Sequence, residues 1–297
     1  MLTCRETFDL KLYPAMTQEE IEDFLEHIPV FMVTDKNGSA VVFRQNESSI
    51  CYFFMSPIMA NATLAQLQDS TENMELQVSA FSLGRIWFRI LKENRTQEVQ
   101  IKVPGSSDIL ENETIKGVEY RLIPDTRDLL GARMLLTMDA TEAVKDGGAL
   151  TPEVAQAAIK KAMTSSPKFN GTYNEIPVFV IQQMRVVKQG ANADQKLDKE
   201  PETMLPMYFS LQNMVSTWKK FTSQSPETTG LEPAINLLDL FEMVEKMQQD
   251  STVDWRNVIL MPPNLVAETY TDKSSNLPSL ELPSQQMPGM GQTLGDL

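Results

Sequence analysis

The tetrapeptide Ile28-Pro29-Val30-Phe31 recurs unchanged as Ile176-Pro177-Val178-Phe179, and other elements recur around it in the same order. A helix with a Thr start signal precedes each copy. Thr17 stands three residues before Glu20, the spacing at which a Thr hydroxyl and a Glu carboxylate each satisfy the other residue's backbone N–H. Ile21, Phe24, Leu25 and Ile28 then fall on one helical face. Thr151 and Pro152 open the second helix, because the fixed φ of proline suits the first helical position. Its apolar stripe is Val154, Ala158, Ile159, Ala162 and Met163.

After each tetrapeptide the pattern becomes strand-like. Val30 to Thr34, the turn Asp35-Lys36-Asn37-Gly38 and Ala40 to Phe43 predict a β-hairpin, since Asn-Gly reaches positive φ at little cost. The second copy offers Val178 to Gln182, then Met184 to Val187. Tyr52-Phe53-Phe54-Met55-Ser56 and Pro206-Met207-Tyr208-Phe209-Ser210 each predict an apolar strand running into a serine that caps the next helix. In the second copy that helix carries the stripe Leu211, Met214, Val215, Trp218 and Phe221. Tyr120 to Asp125 and Val258 to Pro263 predict strands stopped by proline, which has no N–H for a ladder. The spacing between paired elements drifts, as loop insertions and deletions produce, and ordered recurrence of this kind marks a duplication.

The expected architecture is α+β, with two pseudo-twofold-related lobes, each a mostly antiparallel sheet with flanking helices. Residues 1–16 read as an N-terminal arm, 17–125 as lobe one and 126–150 as a helical connection between lobes. Residues 151–270 read as lobe two, with a polar loop inserted at 189–203, and 271–297 as a tail rich in Pro, Ser and Gln.

Charge and chemistry narrow the function classes. Twenty-six Lys plus Arg against 40 Asp plus Glu give a formal net charge of -14, which repels phosphate backbones and argues against nucleic acid as a partner. No apolar run approaches the roughly 18–20 residues of a membrane span. Residues 1–9 read as neither a signal nor a transit peptide, so a presequence is not expected within this chain. Two cysteines, Cys4 and Cys51, are too few for a disulfide framework and read as free or buried thiols. The single histidine, His27, closes the first helix, where a cation would suit the helix dipole. No metal-ligand spacing, triad or phosphate-binding glycine loop is present, so no catalytic, cofactor or metal residue is assigned and the chain is expected not to be an enzyme. The 18 methionines suit surfaces that accept varied apolar partners.

The repeated order of Ile-Pro-Val-Phe, strand, serine-capped helix and proline-stopped strand, finishing in Trp255-Arg256-Asn257-Val258-Ile259-Leu260-Met261-Pro262-Pro263, resembles one known family. This is the family of the twenty-two-kilodalton component of the chloroplast inner-envelope translocon (Tic), and the resemblance spans roughly residues 17–265. It implies a chaperone-like factor in the plastid envelope intermembrane space, peripheral to a membrane. Such a factor binds apolar segments of unfolded preproteins during import and meets translocon subunits, without a cofactor. The alternative is a non-catalytic scaffold or accessory subunit bound stably to a plastid membrane complex. Exposed members of the repeated strands would make the client or partner contacts: Phe31, Phe43, Phe53, Met55, Phe179, Tyr208 and Phe209.

Overall fold

The computed structural model describes residues 11–45, 48–70, 75–92, 118–138, 152–187, 203–224 and 233–263. The readings made for Cys4, Asp146-Gly147-Gly148, the loop 189–202 and the tail lie outside these residues.

Helix α1 (Gln18–Glu26) starts on the reciprocal cap read from sequence. Thr17 Oγ1 accepts from the Glu20 N–H at 3.2 Å, and Glu20 Oε2 accepts from the Thr17 N–H at 2.8 Å. Ile21, Leu25 and Ile28 are buried as its stripe requires. The chain then enters the first sheet, built from β1 (Pro29–Asp35), β2 (Phe43–Gln45), β3 (Ser48–Phe54), β4 (Leu76–Ser82) and β5 (Val118–Ile123). Strand order is β5-β3-β1-β4, with β2 beside the start of β3. The β3–β5 pair is parallel and the others are antiparallel.

The second sheet repeats this plan strand for strand. Its members are β6 (Pro177–Ile181), β7 (Val186–Val187), β8 (Thr203–Tyr208), β9 (Ile235–Asp239) and β10 (Val258–Met261). The order is β10-β8-β6-β9, with β7 at the start of β8 and β8–β10 as the parallel pair. Register repeats too. Phe31 faces Phe54 as Phe179 faces Tyr208, and Pro29 faces Ser82 as Pro177 faces Asp239. Even the next bond matches: Leu83 N–H donates to Ile28 O at 2.8 Å, and Leu240 N–H to Ile176 O at 2.9 Å.

Helices follow equivalent strands. Helix α2 (Pro57–Ser70) follows β3, and α6 (Leu211–Gln224) follows β8. Helix α3 (Leu83–Ile86) follows β4 and continues as a π-helical turn, Trp87–Lys92, whereas its counterpart α7 (Leu240–Met247) after β9 is regular. Helix α4 (Thr126–Thr137) leaves β5, and α5 (Pro152–Ser165) packs against it. A 3₁₀ turn, Trp255–Asn257, leads into β10.

The inner faces of both sheets share one core. Val30, Met32, Phe53 and Leu122 from lobe one join Val178, Val180, Met207 and Leu260 from lobe two, with Trp87, Met243 and Val244 between. The lobes also exchange backbone partners. Asn174, just before β6, bonds Leu122 of β5 in both directions: its Oδ1 accepts from Leu122 N–H at 2.8 Å, and its own N–H donates to Leu122 O at 2.7 Å. Reciprocally, His27, just before β1, donates from Nε2 to Leu260 O on β10 at 2.8 Å. The lone histidine therefore joins the lobes by a directed hydrogen bond, a role beyond ending its helix.

Two sequence expectations are corrected. The turn at Asp35–Gly38 forms, with Gly38 N–H donating to Asp35 O at 3.0 Å, but only Gly38 (φ 83°) has positive φ. This is a type I turn closed by a glycine bulge, not a two-residue hairpin loop. The returning chain meets β1 over one isolated bridge, Thr34–Ala40, held by Val41 N–H to Val33 O and Asp35 N–H to Ser39 O, and forms no longer ladder with it. The stripe of α5 also fails to bury. Ala162 is enclosed, yet Val154 and Met163 are 40% and 46% exposed, since α5 lies on another helix rather than on a sheet.

Candidate binding surface

Each sheet has an inner face in the shared core and an outer face on the opposite residues of every strand. The outer face of sheet two is closed. Phe179, Ile181 and Tyr208 pack under Met214 and Trp218 of α6, with Leu129 and Ala132 of α4 and Phe169 completing a second core. Asp128 locks this cover, because its Oδ1 accepts the Leu211 N–H at 2.9 Å and so ties the start of α4 to the start of α6. Burial, reinforced by the nearby Asp125 carboxylate, raises the Asp128 carboxyl to about 7.

The outer face of sheet one is covered by α2, which touches β1, β3 and β4. Toward β2 it presents a row of rings. Phe43 and Tyr52 have centroids 5.1 Å apart, and Tyr52 and Phe54 6.3 Å apart, while Phe31 stands opposite Phe54. Phe54 is buried, whereas Phe31, Phe43 and Tyr52 are only half-buried. Ile58, at the start of α2, is 48% exposed.

The seven contact residues named from sequence therefore separate. Phe53, Met55, Phe179, Tyr208 and Phe209 lie in the two cores, where alternation along each strand places them. In this conformation they offer no surface to a partner. Phe31 and Phe43 stay half-exposed and are brought together with Tyr52, which the motif contained but which was not singled out.

Buried polar groups serve the fold. Asp239 caps α7, accepting from Phe241 and Glu242 N–H, and its second oxygen accepts the Ile176 N–H at 2.9 Å; burial raises its carboxyl nonetheless. Arg133 donates to the carbonyls of Phe169 and Gly171, holding the segment that precedes β6. The Asx-Leu step at 239–240 was a readable cap signal, whereas Asp128 and Arg133 gave none, because their partners are distant in sequence. Burial pushes the Cys51 thiol up to about 12, which keeps it protonated at neutral pH and unsuited to nucleophilic chemistry. Among the described residues, no cluster of three His, Cys, Asp or Glu could hold a metal ion, and no helix is long and apolar enough to cross a membrane.

Comparison with known proteins places this geometry. Residues 147–273, essentially lobe two, match the Tic22-like family. Among solved structures, Tic22 from Plasmodium falciparum superposes with a TM-score of 0.51 at 19% identity, covering 82% of this chain and 91% of that one. Anabaena Tic22, described as a protein-transport protein, gives a TM-score of 0.51 at 16% identity, covering 84% of this chain and 93% of that one. No curated protein sequence matches the chain. At these identities the structures establish the fold, an α+β arrangement shared over most of the chain. With the family match over lobe two, they make the chain similar to Tic22 proteins in fold and, over residues 147–273, in sequence.

Proposed function

We propose that this chain binds extended apolar segments of preproteins during transport across the plastid envelope, as a non-catalytic, chaperone-like factor in the intermembrane space that meets translocon subunits. The observation that carries the reading is the half-buried aromatic row Phe31, Phe43 and Tyr52 on an outer face whose counterpart in lobe two is sealed. Rings left half-exposed offer apolar area at little entropic cost, and a surface of net charge -14 keeps the factor soluble while they are occupied. Likeness to Tic22 proteins, one of them described as a transport protein, supplies the setting. The test is suppression of aggregation of heat-unfolded citrate synthase, with a Phe43→Ser/Tyr52→Ser variant as the probe of the row. The expected result is suppression by the native protein and its loss in the variant without a change in melting temperature. The reading falls if the native protein neither suppresses aggregation nor retrieves a translocon subunit from plastid membranes.

A stable accessory role draws on a different observation. Leu136 and Met138 at the end of α4, with Val154 and Met163 of α5, expose apolar surface on the helices between the lobes. One-to-one copurification with a single membrane complex, at constant stoichiometry, would favour that role over transient escort.

A further inference from the structure

We propose that the outer edge of β4 is a strand-addition site for an extended polypeptide segment of a partner protein; this rests on the capture reading above and gives it a binding mode. The ladder itself determines which groups are free. Val33 O accepts from Val41 N–H, and Asp35 N–H donates to Ser39 O, so these residues of β1 turn their backbone away from β4. Val30, Met32 and Thr34 alternate with them and bond toward β4, where they face Phe81, Ser79 and Gln77. The bond from Leu83 N–H to Ile28 O continues the same alternation. It follows that the N–H and C=O of Leu76, Val78 and Ala80 point away from the sheet. Among the described residues, no backbone group bonds them.

The other sheet edges are treated differently. Leu122 on β5 is bonded both ways by Asn174, Leu260 O on β10 receives His27, and β9 is shorter and ends in a carboxylate at Asp239. Strand β4 runs for 7 residues, Leu-Gln-Val-Ser-Ala-Phe-Ser, with neither charge nor proline, the features that ordinarily blunt an edge. Exposed ion pairs stand just beyond its two ends, Lys36 with Glu75 and Arg85 with Glu26. Alternating outward donors and acceptors are matched by one chemistry, another extended backbone. An added strand would cover the exposed part of Phe81, which meets Phe53 edge-on at 6.0 Å, so apolar side chains at every second position fit it. The net charge of -14 opposes a second copy there and favours a segment carrying Lys or Arg outside its apolar stretch.

The experiment is hydrogen exchange on the full chain, with and without a peptide of alternating valine and threonine bearing a lysine at each end. The amides of Val78 and Ala80 are expected to slow by at least about tenfold with the peptide, while Ser79 and Phe81, already bonded to β1, do not change. The same peptide N-methylated at alternate residues is expected to have no effect. Val78→Pro removes an outward N–H without touching the ladder, and is expected to weaken binding about tenfold at an unchanged melting temperature. Peptide binding that leaves Val78 and Ala80 exchanging as before overturns the proposal while the capture reading survives on the aromatic row. Failure to bind both this peptide and unfolded citrate synthase sinks both. Protection at Val78 that grows with protein concentration alone assigns the edge to a second copy and overturns the partner assignment.

Discussion

The two lobes share strand order, polarity and register, yet their equivalent positions do different work. At the strand-to-helix step, lobe two places Asp239, whose carboxylate accepts three backbone N–H groups; lobe one places Ser82, whose buried hydroxyl has no partner among the described residues. Two residues later, lobe one has Gly84 where lobe two has Phe241. A Cβ at Gly84 would stand 2.1 Å from Glu22 O and 2.9 Å from Glu26 N, so α1 and α3 meet backbone to backbone. Phe241 instead packs on Trp87, with ring centroids 4.7 Å apart, and joins the lobes. The outer faces differ likewise, sealed by α4 and α6 in lobe two and left with half-exposed rings in lobe one. The repeated sheet plan thus keeps its ladders while individual side chains divide the labour. Lobe two, the stretch that matches the family, carries the stronger caps and cover, and lobe one carries the open surface.

The sharpest way to break this comparison is Gly84→Ala. Neither atom that the new methyl meets can rotate aside, so α1 must separate from α3, at a cost of about 3 kcal/mol or more in thermal or urea melts. A variant melting like the native protein would show that the close crossing does not exist. Next in size is Asp239→Ala, expected to cost about 2 kcal/mol through three unsatisfied N–H groups, while Ser82→Ala changes stability by less than about 0.5 kcal/mol. Equal losses at the two sites would erase the distinction between the caps.

Asp128→Asn sharpens the account of lobe two's cover. The folded carboxyl titrates at about 7 against an ordinary 3.8, so the native state binds the proton more tightly. The stability linked to that proton is complete below about pH 4 and is lost as pH rises through 7. The asparagine variant keeps an acceptor for Leu211 N–H without the buried charge. At pH 8 it should be more stable than the native protein, by on the order of 1–2 kcal/mol, and at pH 4 the two should melt together. A variant less stable at pH 8 would mean that the charge itself holds the helices. The smallest effect is expected for Arg256→Ala. Its guanidinium bonds both oxygens of Glu20 and holds Glu20 below the usual carboxylate range, but the pair is solvent-exposed. The shift in melting temperature should be slight and should disappear in high salt.

Much of the framework was legible. The capping box at Thr17 and Glu20, the Ile-Pro-Val-Phe strands, the serine-led helices and the proline-stopped strands all stand where local pattern placed them. Strand β4 and the α3 turn were not read, nor were β9 and α7, although both pairs complete the repeat. Leu-Gln-Val-Ser-Ala-Phe-Ser has small and polar residues on a half-buried edge, which gives only a faint alternation. The contact residues were chosen by aromatic character, a property shared by core and surface. Alternation sets Phe53 and Tyr52 on opposite faces of β3, and only the packing of those faces leaves Phe53 enclosed and Tyr52 half-open.

By itself, then, the sequence determined the repeated order of elements, the α+β class and the α1 cap, because each element rests on residues near one another along the chain. Tertiary structure decided the rest. Packing two inner faces into one core buried most of the repeated aromatics and left Phe31, Phe43 and Tyr52 at a surface. Cross-lobe contacts turned His27 and Asn174 into links between the halves. Asn174 and His27 closed the edges of β5 and β10, while among the described residues β4 keeps an open edge, an outcome that depends on which segments meet across the fold.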